Sequence, residues 1–110
     1  MSDIDIRIEN TTGRITLNRP TALNALPYDM CMAIDAALKD WRGDDRVSQV
    51  MIDAAGEKAF CAGGDIAELY RTGKQGDFAY GRRFWRDECR MNAMIANYPN
   101  PVISFLQGFV

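Results

Sequence analysis

The chain has 110 residues, of which 47% are hydrophobic and 25% are charged, and its formal net charge is −2. This length allows one small domain, and the composition is typical of a folded protein rather than of a disordered one. The slightly acidic charge gives no attraction for nucleic acid or for an anionic membrane, so we expect neither as a partner. Histidine is absent, which excludes Ser-His-Asp and Cys-His catalysis by this chain alone, and we expect no metal site.

The first predicted element is a β-hairpin. Isoleucines alternate with charged residues over 4–8, the period of a half-buried strand, and residues 14–18 resume the alternation after a turn at 10–13. The polar stretch from Pro20 to Leu26 is predicted to be a loop.

An amphipathic helix and a strand follow the hairpin. Pro27 suits the first turn of a helix, and apolar residues then recur every three or four positions until Gly43. Residues 47–53 predict a second buried strand. A strand, a helix and a strand in this order predict a right-handed crossover in a parallel sheet, so we expect an α/β fold.

A second unit occupies the rest of the chain. Residues 54–64 form a glycine-bearing connection, and a short helix is predicted over 65–70. After a loose stretch, Asp77 is placed to cap a long helix that ends near Asn97. Residues 102–106 predict a third buried strand. The sequence ends at Val110 without an element to cover that strand, so we expect a chain truncated at its C-terminus.

The N-terminus and the cysteines indicate where the protein resides. Residues 1–5 are acidic and lack the basic and apolar regions of a secretion signal, and no apolar run approaches the length of a membrane span. The cysteines are odd in number and widely spaced, at Cys31, Cys61 and Cys89, which is typical of reduced thiols. We expect a cytoplasmic protein, or one of an organelle matrix if a transit peptide is missing from the sequence.

The segment 59–66, with sequence AFCAGGDI, carries the clearest chemistry in the chain. Its small residues leave backbone N–H groups open to a ligand, and a helix that begins near Asp65 adds its N-terminal dipole. Such a segment suits an oxyanion or a carbonyl oxygen. The spacing alone leaves open, and slightly favours, a tight turn that needs glycine only for its backbone angles.

A second segment extends this interpretation. We call residues 18–26, with sequence NRPTALNAL, the first loop, and residues 59–66 the second loop. In order and separation the two loops resemble the paired signature of the crotonase (enoyl-CoA hydratase/isomerase) superfamily. The resemblance implies the N-terminal part of a crotonase-like spiral of ββα units, with residues 1–110 belonging to a single domain. It also implies an acyl-CoA thioester as the small-molecule substrate, requires no cofactor and allows a homo-oligomer.

The resemblance also assigns roles to residues of both loops. It implies that the backbone N–H of Gly64 is an oxyanion donor to the thioester carbonyl. The residues that it places against CoA are Ala22, Leu23 and Ala25 in the first loop and Ala62, Gly63, Asp65 and Ile66 in the second. Cys61 has apolar neighbours and no base nearby, so we expect a buried structural cysteine rather than a nucleophile.

The predicted long helix carries one unusual carboxylate. Its inward stripe is expected to consist of Phe84, Trp85, Met91 and Ile95, and Glu88 lies within the same stripe. A carboxylate on an apolar face must be paired, hydrogen-bonded or protonated. The residues alone leave open an ion pair with a nearby arginine, or a helix rotated so that this side chain faces solvent.

The helix extends the resemblance to one hydrolytic branch of the superfamily. Residues 84–92, with sequence FWRDECRMN, are similar to the matching helix of 3-hydroxyisobutyryl-CoA hydrolases. So is the double glycine before Asp65, where many hydratases have Gly-Ala-Asp. The branch hydrolyses 3-hydroxyisobutyryl-CoA in valine breakdown, and the resemblance implies that Glu88 binds the substrate by accepting a hydrogen bond from its 3-hydroxyl group.

The family's remaining catalytic groups are expected beyond Val110. They are a second oxyanion donor and the glutamate that attacks the thioester or activates water, so we expect this chain alone to lack activity. Two alternatives remain at this point. An enoyl-CoA hydratase or isomerase shares both CoA loops, and a non-catalytic CoA-binding module would end at Val110.

Overall fold

The computed structural model describes residues 3–110, so residues 1 and 2 of the acidic N-terminus lie outside the described part. The described residues form four strands and three α-helices, together with a short 3-10 helix at Pro20–Ala22 in the first loop. The strands are β1 (Ile4–Glu9), β2 (Thr12–Leu17), β3 (Gln49–Ala54) and β4 (Val102–Ser104), and the helices are α1 (Tyr28–Arg42), α2 (Ala67–Lys74) and α3 (Phe78–Ala96). No helix among them is both long and apolar enough to cross a membrane.

The strands form one sheet in the order β1-β2-β3-β4. β1 and β2 pair in an antiparallel hairpin, whereas β2 pairs with β3, and β3 with β4, in parallel. Since a parallel pair needs a crossover connection, α1 joins β2 to β3, and α2 and α3 join β3 to β4. The predicted hairpin and the predicted parallel sheet are therefore confirmed.

Buried side chains from the sheet and from two helices form one core. They include Ile15, Leu17, Val50 and Ile52 of the sheet, Met30, Ile34, Leu38 and Trp41 of α1, and Phe84 and Met91 of α3. The α1 members recur at three- and four-residue spacing, which confirms the predicted amphipathic helix. Burying a side chain of this size contributes about 1.5–3 kcal/mol, so this cluster is the main stabilising feature of the fold.

Three predicted burial patterns are wrong, each for a geometric reason. Ile6 and Ile8 are 36% and 38% exposed, because β1 is the edge strand of the sheet. Trp85 is 52% exposed, because a helix turns by about 100° per residue and Phe84 already occupies the inward position. β4 is shorter than predicted, and Phe105 and Leu106 are exposed, since no described element covers them.

The ends of the two later helices also differ from the prediction. α2 begins at Ala67 rather than at Asp65, because the main chain of Asp65 is hydrogen-bonded to the first loop instead. The helix continues to Lys74, and Thr72 within it is buried, with its hydroxyl donating to the carbonyl of Glu68. Asp77 stands at the N-cap position of α3 without a capping hydrogen bond from its side chain.

Gly13 of β2 tests the packing of α1 on the sheet. A Cβ atom at this position would lie 2.4 Å from Cε3 of the Trp41 ring, which is buried. We expect Gly13→Ala to lower the free energy of unfolding by about 1–3 kcal/mol, the usual cost of overpacking, measured by urea denaturation. Gly43→Ala is the matched control, because a Cβ atom there meets nothing within 4 Å. Equal losses for the two variants would contradict this account.

Candidate functional site

The two loops are joined through their main chains. Leu26 donates its N–H to the carbonyl of Gly63, and Asp65 donates its N–H to the carbonyl of Leu26, both at 2.8 Å. Leu26 and Gly64 thereby form a parallel bridge, a one-residue extension of sheet pairing. A third hydrogen bond, from Ala62 N–H to the carbonyl of Leu23, measures 3.0 Å. These hydrogen bonds bring the two loops, which are separate in the sequence, together into a single surface.

The side chain of Asn24 lies beneath this surface. It is fully buried; its Oδ1 accepts from the N–H of Arg19 at 2.8 Å, and its Nδ2 donates to the carbonyls of Ala55 and Ala59, each at 3.0 Å. Its φ is +55°, a left-handed conformation that asparagine tolerates better than most residues. The sequence reasoning gave this residue no role, although a polar residue between apolar neighbours was a sign of one.

An ion pair adds a second side-chain link between the loops. Nη1 of Arg19 donates to Oδ2 of Asp65 at 2.9 Å and to the carbonyl of Ala25 at 2.7 Å. Oδ1 of Asp65 accepts from the N–H of Ala67 at 2.9 Å, which places a carboxylate at the start of α2. The N–H of Ala67 and then Arg19 hold the pKa of Asp65 below its ordinary value. The Asp65 carboxylate is therefore engaged within the protein, and a contact of this residue with CoA stays a prediction.

The structure brings the residues predicted to contact CoA onto one surface. From the first loop these are Ala22, Leu23 and Ala25, all half-buried. From the second loop they are Ala62 and Gly63, both exposed, the half-buried Asp65, and Ile66, which is 69% exposed. Small and apolar groups at the rim leave the main chain accessible to a ligand.

Gly64 lies at the centre of this surface. Among residues 3–110, no group accepts a hydrogen bond from its N–H. The preceding Gly63 has a φ of +91°, which turns the backbone in a way that residues with a Cβ rarely allow. A backbone donor without an internal partner is available to a ligand oxygen, as the oxyanion role of Gly64 requires.

The carboxylate of Glu88 lies directly against Gly64. A Cβ atom at Gly64 would be 2.9 Å from Oε1 of Glu88 and 3.1 Å from its Oε2. The buried Oε2 has no hydrogen-bond partner among the described residues, and burial raises the pKa of this carboxyl group above its ordinary value. The described part of the chain contains no ion pair of Glu88 and leaves its side chain half-buried. The structure therefore has neither the ion pair with an arginine nor the solvent-facing side chain that the sequence left open.

Two thiols lie near this carboxylate. Burial raises the pKa of Cys31 to about 12 and also raises that of Cys61, and the negative charge of Glu88 adds to both shifts. Sγ of Cys61 accepts a hydrogen bond from the N–H of Gly63 at 3.3 Å. Thiols that stay protonated are poor nucleophiles, so this supports a structural role for Cys61, which is half-buried rather than fully buried.

A mostly apolar cavity of about 150 Å³ opens between the sheet and α3, beside Cys61. Its lining includes Leu26, Met91, Asn92 and Ser104. Asn92 lies one helical turn beyond Glu88, so the cavity lies one turn further along α3 than the carboxylate, which is not part of its lining. In the described residues no group of three or more cysteine, aspartate or glutamate side chains is arranged to hold a metal ion.

Comparisons with known proteins complete the description of the site. The enoyl-CoA hydratase/isomerase family profile matches residues 12–110. The mitochondrial 3-hydroxyisobutyryl-CoA hydrolase of Danio rerio is 45% identical over 96 residues, which are 87% of this chain and 25% of that protein. The crystal structure of an enoyl-CoA hydratase from Rhodobacter sphaeroides has a TM-score of 0.94 and 57% identity, over 97% of this chain and 32% of the other.

A carnitinyl-CoA dehydratase from Mycobacterium thermoresistibile gives a similar result. Its crystal structure has a TM-score of 0.95 and 42% identity, over 100% of this chain and 32% of the other. The chain thus spans about a quarter of the curated relative and about a third of each solved chain.

Asn24 provides a test of how the loops are held. In Asn24→Ala the carbonyl of buried Ala59, the carbonyl of half-buried Ala55 and the N–H of Arg19 lose their partner, and a buried group left in this way costs about 1–3 kcal/mol. We expect a loss of several kcal/mol in the free energy of unfolding, measured by urea denaturation. Asn97→Ala is the control, because that side chain also donates to a carbonyl, at 2.8 Å, but from an exposed position. A loss no larger than that of the control would contradict the role of Asn24.

The unpartnered carboxylate predicts a pH dependence of stability. Because burial raises the pKa of Glu88 in the folded state, the folded protein holds its proton at pH values where the unfolded chain has lost it. Its contribution is therefore full below the ordinary pKa of glutamate and is lost as the pH rises through the raised value. We expect Glu88→Gln to be more stable than wild type at neutral pH, and the difference to vanish in acid. Urea denaturation at a series of pH values measures both, and Glu57→Gln, which alters an exposed glutamate, is the matched control.

Proposed function

We propose that the full-length protein binds an acyl-CoA thioester through the two loops and hydrolyses it. The premise is that the chain belongs to the enoyl-CoA hydratase/isomerase family, whose profile matches residues 12–110. The substrate class that we infer is a short 3-hydroxyacyl-CoA, as in 3-hydroxyisobutyryl-CoA hydrolases. Since the chain spans about a quarter of its curated relative, the residues named below form only part of the active site.

The observation that carries this proposal is the contact between Glu88 and Gly64. The carboxylate occupies the space that a side chain at position 64 would fill, so a glycine there and a glutamate at 88 are sterically linked. The double glycine resembles the hydrolytic branch of the family, whereas an alanine is frequent in hydratases. A carboxylate that is partly desolvated and has an unused oxygen is suited to accept a hydrogen bond from a substrate hydroxyl group.

The mechanism assigns one role to each group. The N–H of Gly64 donates to the thioester carbonyl oxygen, where negative charge develops during attack, and one such donor is worth about 3 kcal/mol. Glu88 holds the 3-hydroxyl group, and the neighbouring cavity of about 150 Å³ accommodates the rest of a small acyl group. Water adds to the carbonyl carbon, the carbon–sulfur bond breaks, and the CoA thiol leaves with a proton, so the reaction needs no cofactor. The group that activates this water is predicted, from the family resemblance, to be a glutamate beyond Val110.

A second candidate function is enoyl-CoA hydration. It is favoured by the solved chain with 57% identity, which is described as an enoyl-CoA hydratase. That reaction adds water across a double bond and releases no thiol. The two candidates therefore differ in a product that is simple to detect.

Removing the carboxylate tests the proposed hydrolysis. In the full-length protein we expect Glu88→Ala to lower kcat/KM for 3-hydroxyisobutyryl-CoA by about 10- to 100-fold, the usual value of a hydrogen bond to a charged group. For isobutyryl-CoA, which lacks the hydroxyl group, kcat/KM should change much less. Release of free thiol measures both, and Glu57→Ala, which removes an exposed glutamate, is the control.

Several outcomes would contradict the proposal. An equal loss for both substrates would remove the hydroxyl-binding role of Glu88. Loss of the enoyl absorbance of crotonyl-CoA without thiol release would support the hydratase instead. Binding of CoA without turnover of either substrate would support the non-catalytic module.

A further inference from the structure

A second contact between α1 and α3 lies beside the candidate site. Tyr28, the first residue of α1, follows the first loop after a single proline. Its hydroxyl donates a hydrogen bond to Oδ2 of Asp87 on α3. Asp87 is only 9% exposed and is the direct neighbour of Glu88 in the helix. Neither Tyr28 nor Asp87 belongs to the residues that the family resemblance assigns to the site.

Tyr28 is the main partner of the Asp87 carboxylate. Arg86 and Arg90 also approach Oδ1 of Asp87, but at 3.3 and 3.9 Å and from side chains that are 61% and 62% exposed. Ion pairs from such exposed side chains are screened by water and contribute little. The hydrogen bond from Tyr28 is the leading cause that holds the pKa of Asp87 below its ordinary value, ahead of both arginines.

The aromatic ring of Tyr28 also contacts side chains of α3. Its centroid lies 6.2 Å from that of Tyr80 and 6.1 Å from that of Phe84, both on α3, and the guanidinium of Arg83 lies 5.7 Å from it. The ring of Phe84 in turn reaches to 3.1 Å from the position of a Cβ atom at Gly64. The start of α1, the inward face of α3 and the second loop therefore contact one another.

These contacts form a closed ring of residues around the site. Leu26 pairs with Gly64, the chain continues to Tyr28, Tyr28 binds Asp87, and the adjacent Glu88 returns to Gly64. We propose that the Tyr28–Asp87 hydrogen bond fixes the rotation of α3 about its axis and so holds Glu88 against Gly64. Tyr28 and Asp87 are positioning residues, and this role rests on the proposed function of Glu88 in binding substrate.

The geometry of a helix explains why one hydrogen bond has this effect. Consecutive side chains point about 100° apart, so a rotation that moves Asp87 also moves Glu88. Without the hydroxyl, the buried Asp87 carboxylate loses its best partner, and rotation towards water relieves the cost. Asp87 and Glu88 lie on opposite sides of the inward line of Phe84 and Met91, so the rotation that exposes Asp87 turns Glu88 further towards the core and out of its present contact with Gly64.

Tyr28→Phe in the full-length protein tests this proposal, with Tyr98→Phe as the matched control. Tyr98 also donates its hydroxyl to α1, to the carbonyl of Leu38 at 2.6 Å, but it lies beyond the end of α3 and away from Glu88. We expect both variants to lose a similar amount of thermal stability. Only Tyr28→Phe should change the pKa of Glu88, raising it further as the carboxyl group turns towards the core, followed by carbon-13 NMR of the side-chain carboxyl groups and assigned with Glu88→Gln. Only this variant should raise KM for 3-hydroxyisobutyryl-CoA, by about 10-fold.

A second pair of variants covers the case in which Tyr28→Phe does not fold. Asp87→Asn keeps an acceptor for the tyrosine hydroxyl and should leave the pKa of Glu88 as in wild type, whereas Asp87→Leu cannot accept this hydrogen bond and should shift that pKa. An unchanged titration of Glu88 in Tyr28→Phe or in Asp87→Leu, with only stability reduced, would overturn the positioning role. If wild type hydrolyses no acyl-CoA, the proposed function fails, but the titration of Glu88 still decides whether these residues position it.

Discussion

The candidate site depends on the main-chain pairing of Leu26 with Gly64. Two loops that are far apart in the sequence meet there, because each supplies backbone groups that the other satisfies. Asn24 supports this pairing from below, and the Arg19–Asp65 ion pair supports it from the side. Among the described residues the N–H of Gly64 keeps no internal partner, and α1 begins two residues after Leu26, where Tyr28 reaches α3.

Local patterns in the sequence were sufficient for most of the fold. Alternation and three- to four-residue spacing gave the hairpin, α1, α3 and the parallel order, and the solved relatives confirm the predicted crotonase-like fold. The errors concern burial. Ile6, Phe105 and Leu106 have the hydrophobicity of core residues, but burial depends on a covering element, and hydrophobicity does not reveal whether one is present. Trp85 was misplaced because a short run of apolar residues does not define which side of a helix faces inward.

The site was partly accessible from the sequence, through family resemblance rather than through spacing. The resemblance singled out Gly64 and Glu88, and the structure places these two residues in contact. Asn24, Tyr28 and Asp87 were missed, because their partners lie far away in the chain. The Tyr28–Asp87 hydrogen bond joins residues 59 positions apart, and no periodicity within one segment contains that information. Polar contacts of this kind depend on how the elements pack, which only the structure provides.

The shared space at Gly64 and Glu88 has a consequence for the divergence of such enzymes. If alanine replaces Gly64 while Glu88 is present, the new methyl group meets the carboxylate at 2.9–3.1 Å, so one of them must move. If Glu88 is lost first, the same methyl group meets only the ring of Phe84, at 3.1 Å. The effect of each replacement therefore depends on the other. An alanine at position 64 displaces the Glu88 carboxylate from its present place, so the two changes are coupled in their effect on this contact.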